Sequence, residues 1–141
     1  MFNKEESRKL REEFWIAFGK SYPKKWILYK TKIKGLSFKF YFGLKAARVS
    51  LDIEGELEQR IHLWEKLISL KSILLDEYLA NAIFEEYYIL ENKKEISRIY
   101  VEKLEVSIHN KNTWRDTMAF FKVHMKLFEA FFLEYRDILI S

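Results

Sequence analysis

Leu36-Ser37-Phe38-Lys39-Phe40-Tyr41-Phe42, followed by Ala46-Ala47-Arg48-Val49-Ser50-Leu51-Asp52-Ile53, decides the fold, because apolar residues recur at every second position through both segments. A period of two sends neighbouring side chains to opposite faces of a strand. Leu36, Phe38, Phe40, Phe42 and Leu44, then Ala47, Val49, Leu51 and Ile53, therefore read as the inner faces of two half-buried strands. Lys39, Tyr41 and Lys45, with Arg48 and Ser50 on the neighbouring strand, are expected on the outer face.

On the N-terminal side, Trp26 to Ile33 is expected as a preceding strand, with Lys34-Gly35 turning the chain into the next one to complete a meander. Further upstream, Asn3 and Glu6 have the spacing of a capping box. Leu10, Phe14, Trp15 and Phe18 share a helical face, Gly19 is expected to end that helix, and Pro23 marks the following turn. On the C-terminal side, Glu54, Glu56 and Glu58 place negative charge where a helix start favours it, and the helix is expected to run to about Leu79. Ile83 to Leu90 and Ile96 to Ile108 form a hairpin around Glu91-Asn92-Lys93-Lys94. Its apolar alternation changes phase after Val101, so a bulge or break is expected near Glu102 and Lys103. A last helix begins near Asn112 or Thr113, with Asp116 placed to complete its cap, and carries an apolar row of Trp114, Met118, Phe121, Met125, Phe128 and Phe132. The 141 residues thus predict one α+β domain over 1–141, with an antiparallel or mixed sheet of about five strands packed by three helices. The order is helix, three strands, helix, two strands, helix.

Charge is distributed unevenly along this chain. Between Phe14 and Leu51 stand nine Lys or Arg residues and no Asp or Glu, whereas the remainder after Leu51 carries 12 basic and 17 acidic residues. Such a block either meets a polyanion or balances the acidic half of the same fold. Zero cysteines exclude disulfides, thiolate metal sites and cysteine nucleophiles. No apolar run approaches the roughly 20 residues of a membrane span, so a cytoplasmic protein without membrane partners is expected.

Phe2 to Glu6, Leu10 to Trp15 with Phe18-Gly19, Trp26 with Tyr29-Lys30-Thr31, Ile96 to Tyr100, Val106 to Ile108, Trp114 and Phe120-Phe121 resemble an uncharacterised bacterial family, catalogued as domain of unknown function 4268. The resemblance implies an α+β domain that occurs alone or joined to larger proteins, some with nuclease-like regions, and it implies no established activity. The matching polar positions Arg11, Lys30, Thr31, Ser97 and Arg98 are where a family function would leave a trace, unless they serve as caps and ion pairs.

No catalytic motif is complete. A restriction-endonuclease-like reading needs an acid on one strand and a D/E-x-K group on the next. Asp52-Ile53-Glu54 lacks the lysine, and Glu91-Asn92-Lys93 falls in an expected turn. His62, His109 and His124 are isolated, so neither a metal site nor a cofactor is expected. The expected function is a non-catalytic binding or accessory module that contacts nucleic acid or another polyanion through Lys39, Tyr41, Lys45 and Arg48, supplemented by Lys30 and Lys32. The alternative is a protein-interaction or homodimerisation module that meets its partner through Trp114, Phe121, Phe128 and Phe132. A degenerate endonuclease-like domain that binds without cutting is the third reading.

Overall fold

The computed structural model describes residues 2–141. Helix α1 spans Lys4–Ser21, and its start is the capping box read from the sequence: Asn3 Oδ1 accepts from the Glu6 N–H at 2.8 Å while Glu6 Oε1 accepts from the Asn3 N–H. Contrary to expectation the helix continues past Gly19, so the glycine is simply helical and the chain leaves at Tyr22.

Strands β1 (Leu36–Phe42) and β2 (Ala46–Ile53) form the antiparallel hairpin that the alternation predicts. Helices α2 (Leu57–Ser69) and α3 (Lys71–Glu77) follow, then β3 (Ile83–Ile89), β4 (Glu95–Leu104) and helix α4 (Trp114–Ile140). Among the described residues the class is α+β with four antiparallel strands in the order β1-β2-β4-β3 and four α-helices, where the sequence points to about five strands and three helices.

Two local differences account for that change. Residues 22–35 form an irregular segment that passes into turns from Leu28, and not a strand: Leu28 and Lys32 adopt left-handed backbone, with φ of 47° and 63°. Trp26, Ile27 and Leu28 are consecutive apolar residues that pack together against the core, an arrangement alternation forbids. Thr31, buried, stabilises the turns by donating from Oγ1 to the Leu36 carbonyl at 2.8 Å and accepting from the Ile33 N–H at 3.1 Å. The second change is a break at Leu70, where ψ is 4° and the expected single helix divides into α2 and α3. That bend lets Leu63, Leu67, Leu70, Leu74 and Leu79 all reach the core.

Smaller expectations also shift. The phase change in β4 is a strand end, since β4 runs unbroken to Leu104 and Glu105 then turns with φ 62°. The bulge lies instead in β3, between Glu85 and Tyr88. Asp116 completes no cap at α4: Thr113 turns its hydroxyl back to the Ser107 and Asn110 carbonyls across a short 3-10 turn.

The helices cover one face of the sheet. Phe38 meets Phe132, Phe40 meets Phe121, Phe42 meets Phe14, and Trp64 meets Phe84, with ring centroids 4.7 to 5.9 Å apart. Phe121 is fully buried and touches Phe14, Trp15, Phe18, Phe40 and Phe42, which makes it the joint between α1, α4 and β1. No helix among the described residues is long and apolar enough to cross a membrane. Phe121→Ala is expected to destabilise the fold by about 3–5 kcal/mol, the usual cost of truncating a fully buried aromatic, measurable as a lower midpoint in urea unfolding.

Candidate functional site

The face of the sheet turned away from the helices is made by the other set of alternating residues. Register places Tyr41 opposite Arg48, Asp52 opposite Arg98, and Arg98 opposite Glu85. Serine, arginine and aspartate would ordinarily be solvated on such a face. Here Ser50, Asp52 and Arg98 are buried, with Lys39 lying against Asp52 and the Tyr88 ring over Arg98.

Arg98 is 4% exposed and grips the fully buried Asp52 side-on, donating from Nε to Oδ1 at 2.8 Å and from Nη2 to Oδ2 at 2.9 Å. Burial opposes the charge on Arg98, but the hydrogen bonds and charge of Asp52 outweigh it and raise the guanidinium pKa further. Lys39 lies beside the same carboxylate, 3.4 Å from Asp52 Oδ2, and donates to Glu54 Oε2 at 3.0 Å; Lys94 donates to Glu54 Oε1 at 2.8 Å. The hydrogen bond from Lys94, helped by Lys39 against partial burial, holds the Glu54 carboxyl below its ordinary pKa.

Three aromatic residues complete the face. Arg48 stacks across the strand pair on Tyr41, its guanidinium carbon 4.5 Å from the ring centre. Tyr41 is 45% exposed, and its hydroxyl lies over Gly43, where a Cβ would stand 2.1 Å away; glycine there leaves room for the tyrosine. Tyr88 covers Arg98 at 4.3 Å and lies 6.0 Å from Arg48. The β3 bulge brings it there, because one extra residue between Glu85 and Tyr88 shifts the strand's phase, and Ser97 Oγ donates to the bulged Glu86 carbonyl at 2.6 Å. Tyr100, on the same face, donates its hydroxyl to Glu85, and burial followed by that carboxylate pushes its pKa up.

Between Tyr41, Arg48, Tyr88, Arg98 and the Leu90-Glu91-Asn92 turn lies an open cleft of about 440 Å³. Three guanidinium nitrogens among the described residues are closed to solvent without a hydrogen-bond partner: Arg48 Nε and Arg98 Nη1, whose side chains line this cleft, and Arg60 Nε, whose side chain does not. Leaving a buried donor unpaired typically costs about 1–3 kcal/mol, so these atoms mark places where the fold forgoes stability.

The six residues read from sequence as a polyanion site divide accordingly. Tyr41 and Arg48 meet at the cleft, whereas Lys39 beside them is committed to Asp52 and Glu54. Lys45 is exposed in the β1–β2 turn, and Lys30 and Lys32 are exposed in the turns before β1, outside any strand. Arg98 and Tyr88 were absent from that set. The parity of Ile99 and Val101 points Arg98 outward, but only the bulge brings Tyr88 to the same face. Among the family-matched polar positions, Thr31 and Ser97 fix turn and bulge, while Arg98 belongs to the cleft.

The proposed interface residues Trp114, Phe121, Phe128 and Phe132 are corrected to core. All four are buried within the chain against α1, β1 and the rest of the helical layer, where a second copy has no access. Asp52 and Glu54, at nuclease-like spacing, have their carboxylates taken by Arg98, Lys39 and Lys94, and Glu91-Asn92-Lys93 is a turn in which Lys93 has φ 72°. Among the described residues, no three His, Asp or Glu side chains gather to hold a metal ion.

Fold and site thus define an α+β domain with a four-stranded antiparallel sheet, helices on one face and a polar, arginine-bearing cleft on the other. The family model described as Domain of unknown function (DUF4268) matches residues 10–136, and the chain belongs to that family. No curated protein and no solved structure matches it.

Asp52→Ala, which strands the Arg98 charge in a buried position, is expected to cost about 3–5 kcal/mol in urea unfolding. For Glu54 the folded pKa is the lower one, so its contribution is fully present above the unfolded value of about 4.3 and is lost as pH falls through the folded value. Glu54→Gln should therefore lower stability at neutral pH and flatten its decline below about pH 5, read from unfolding midpoints across an acid series.

Proposed function

We propose that this domain is a non-catalytic binding or accessory module whose open sheet face contacts nucleic acid or another polyanion. The observation that carries the reading is Arg48, which lines the cleft stacked on the half-exposed ring of Tyr41 and has no carboxylate partner among the described residues. Charge-assisted N–H donors match phosphate oxygens, and an exposed tyrosine offers a surface on which an unpaired base stacks. The exposed Lys30, Lys32 and Lys45 add long-range attraction without forming one stripe. A bacterial cytoplasm is the proposed setting, in keeping with a chain that depends on no disulfide.

The homodimerisation alternative loses the four residues on which it rested, since they are core. A degenerate endonuclease-like ancestry adds no chemistry to the cleft, whose acids serve cations of the same sheet.

Fluorescence anisotropy with short labelled single- and double-stranded nucleic acids across a salt series tests the proposal. Binding at low salt should weaken with added salt, with a log–log slope of about −0.7 per phosphate contacted on a single strand. Arg48→Ala should weaken it more than Lys25→Ala, an exposed lysine outside the cleft. Absence of binding at low salt removes the reading.

A further inference from the structure

We propose that a second cleft, lined by lysines and lying between the segment that leaves α1 and the exposed side of α4, receives a single strand of nucleic acid. For its ligand class this rests on the nucleic-acid reading above. For its site it rests on a different surface, so the two fail separately.

Like charges four residues apart on a helix repel, so an exposed pair of lysines at that spacing is unfavourable unless something negative lies against it. Helix α4 carries such a pair, Lys122 and Lys126, outside its buried row of Phe121, Phe128 and Phe132. Neither lysine has a carboxylate partner among the described residues. Glu129, three residues on from Lys126, is buried and spent on the Ile27 N–H and Lys24.

The residues opposite add charge of the same sign. Tyr22, Pro23, Lys24 and Trp26 enclose with Lys122 and Lys126 an open cleft of about 430 Å³, and no acid lines it. Lys122 Nζ lies 5.6 Å from the centre of the Tyr22 ring, and Lys24 Nζ lies 4.6 Å from that of Trp26. Three ammonium groups thus converge from two elements distant in sequence. Their apolar floor is held from beneath, since Trp26 stacks on Phe18 and meets Phe40 edge-on.

The kind of anion follows from the chemistry of these cations. Lysine presents a compact charge on a flexible stem, which suits repeated phosphates met without fixed geometry. Acidic and phosphorylated peptide motifs are recognised by arginine clusters, and no arginine lines this cleft. A membrane surface calls for apolar side chains that project past the charges. Here the rings of Tyr22 and Trp26 are half-buried and the Lys24 ammonium lies over the second of them. Lysines one helical turn apart can meet successive phosphates of one strand, and Tyr22 offers its ring to a base once Lys122 turns to a phosphate.

Fluorescence anisotropy of the full chain with a labelled single strand across a salt series is the test, repeated with Lys122→Ala/Lys126→Ala, with Arg48→Ala, and with Lys4→Ala/Lys9→Ala as a control of equal charge loss at the start of α1. Both cleft lysines are exposed, so the circular dichroism of their double variant should match that of the unsubstituted chain. That variant should bind at least roughly tenfold more weakly at low salt, with a log–log salt slope shallower by about 1.4, two contacts at about 0.7 each. The control should lose less. A loss confined to the cleft variant supports the proposal and removes the open-face reading; a further loss in Arg48→Ala means that both surfaces touch the strand. Unchanged binding by the cleft variant, or an equal loss in the control, overturns the proposal and leaves the open-face reading to Arg48→Ala. Absence of binding by the unsubstituted chain overturns both. Polyglutamate and vesicles of phosphatidylserine with phosphatidylcholine serve as competitors. If either displaces the labelled strand at a lower concentration of charge than the unlabelled strand does, the cleft belongs to an acidic protein or a membrane and the proposal falls.

Discussion

Arg98 and Asp52 form a fully buried ion pair across the two central strands, on a face that no helix covers, and the polar architecture of the domain is organised around it. Removing two charges from water is costly unless their remaining hydrogen-bonding capacity is met. Lys39 approaches the carboxylate from β1, Tyr88 closes over the guanidinium from β3, and Glu54 with Lys94 balances Lys39 at the strand ends. Each strand thus contributes to enclosing the pair. Arg98 Nη1 is the one nitrogen of its guanidinium left over, and it lies where Arg48 also has an unpaired Nε–H.

A sheet packed on one side only also leaves its edges to be managed. On β1 that task falls to residues 22–35, whose Leu28 carbonyl accepts the Phe38 N–H at 3.0 Å. The turns are themselves tied to α4 through buried Glu129, which accepts from the Ile27 N–H at 2.7 Å and from Lys24 at 3.2 Å. At the junction with β1, Gly35 holds a φ of 84° with its missing Cβ directed at the Glu54 carbonyl, 2.3 Å away, so a larger residue has no room. This packing also disperses the acid-free block. Its lysines go to a helix end, a set of turns, a hairpin and an ion-pair network, and its one arginine goes to the cleft.

The functional proposal follows from that dispersal. A broad basic stripe and a discrete pocket both read as positive charge in a sequence, but they bind differently: a stripe tracks many phosphates, whereas a pocket orients one. Here nearly every cation on the open face has an acid beside it, which leaves Arg48, stacked on Tyr41, as the cation of the cleft without a carboxylate partner among the described residues.

By itself the sequence determined which way the hairpin's side chains point, because strand geometry ties side-chain direction to residue parity; Tyr41 and Arg48 were legible as outward neighbours for that reason. It likewise determined the capping box of α1, a contact between residues three apart. Tertiary structure alone decided what lies between distant residues. Asp52 meets Arg98 from 46 positions away, and Glu129 claims the Ile27 N–H from 102 positions away, which ties that segment to α4. A single bulge residue moved Tyr88 onto the cleft, and burial of α4 turned the apparent interface residues into core. Periodicity records the direction of a side chain, but its partner, and with it the availability of its charge, depends on which strands and helices come together.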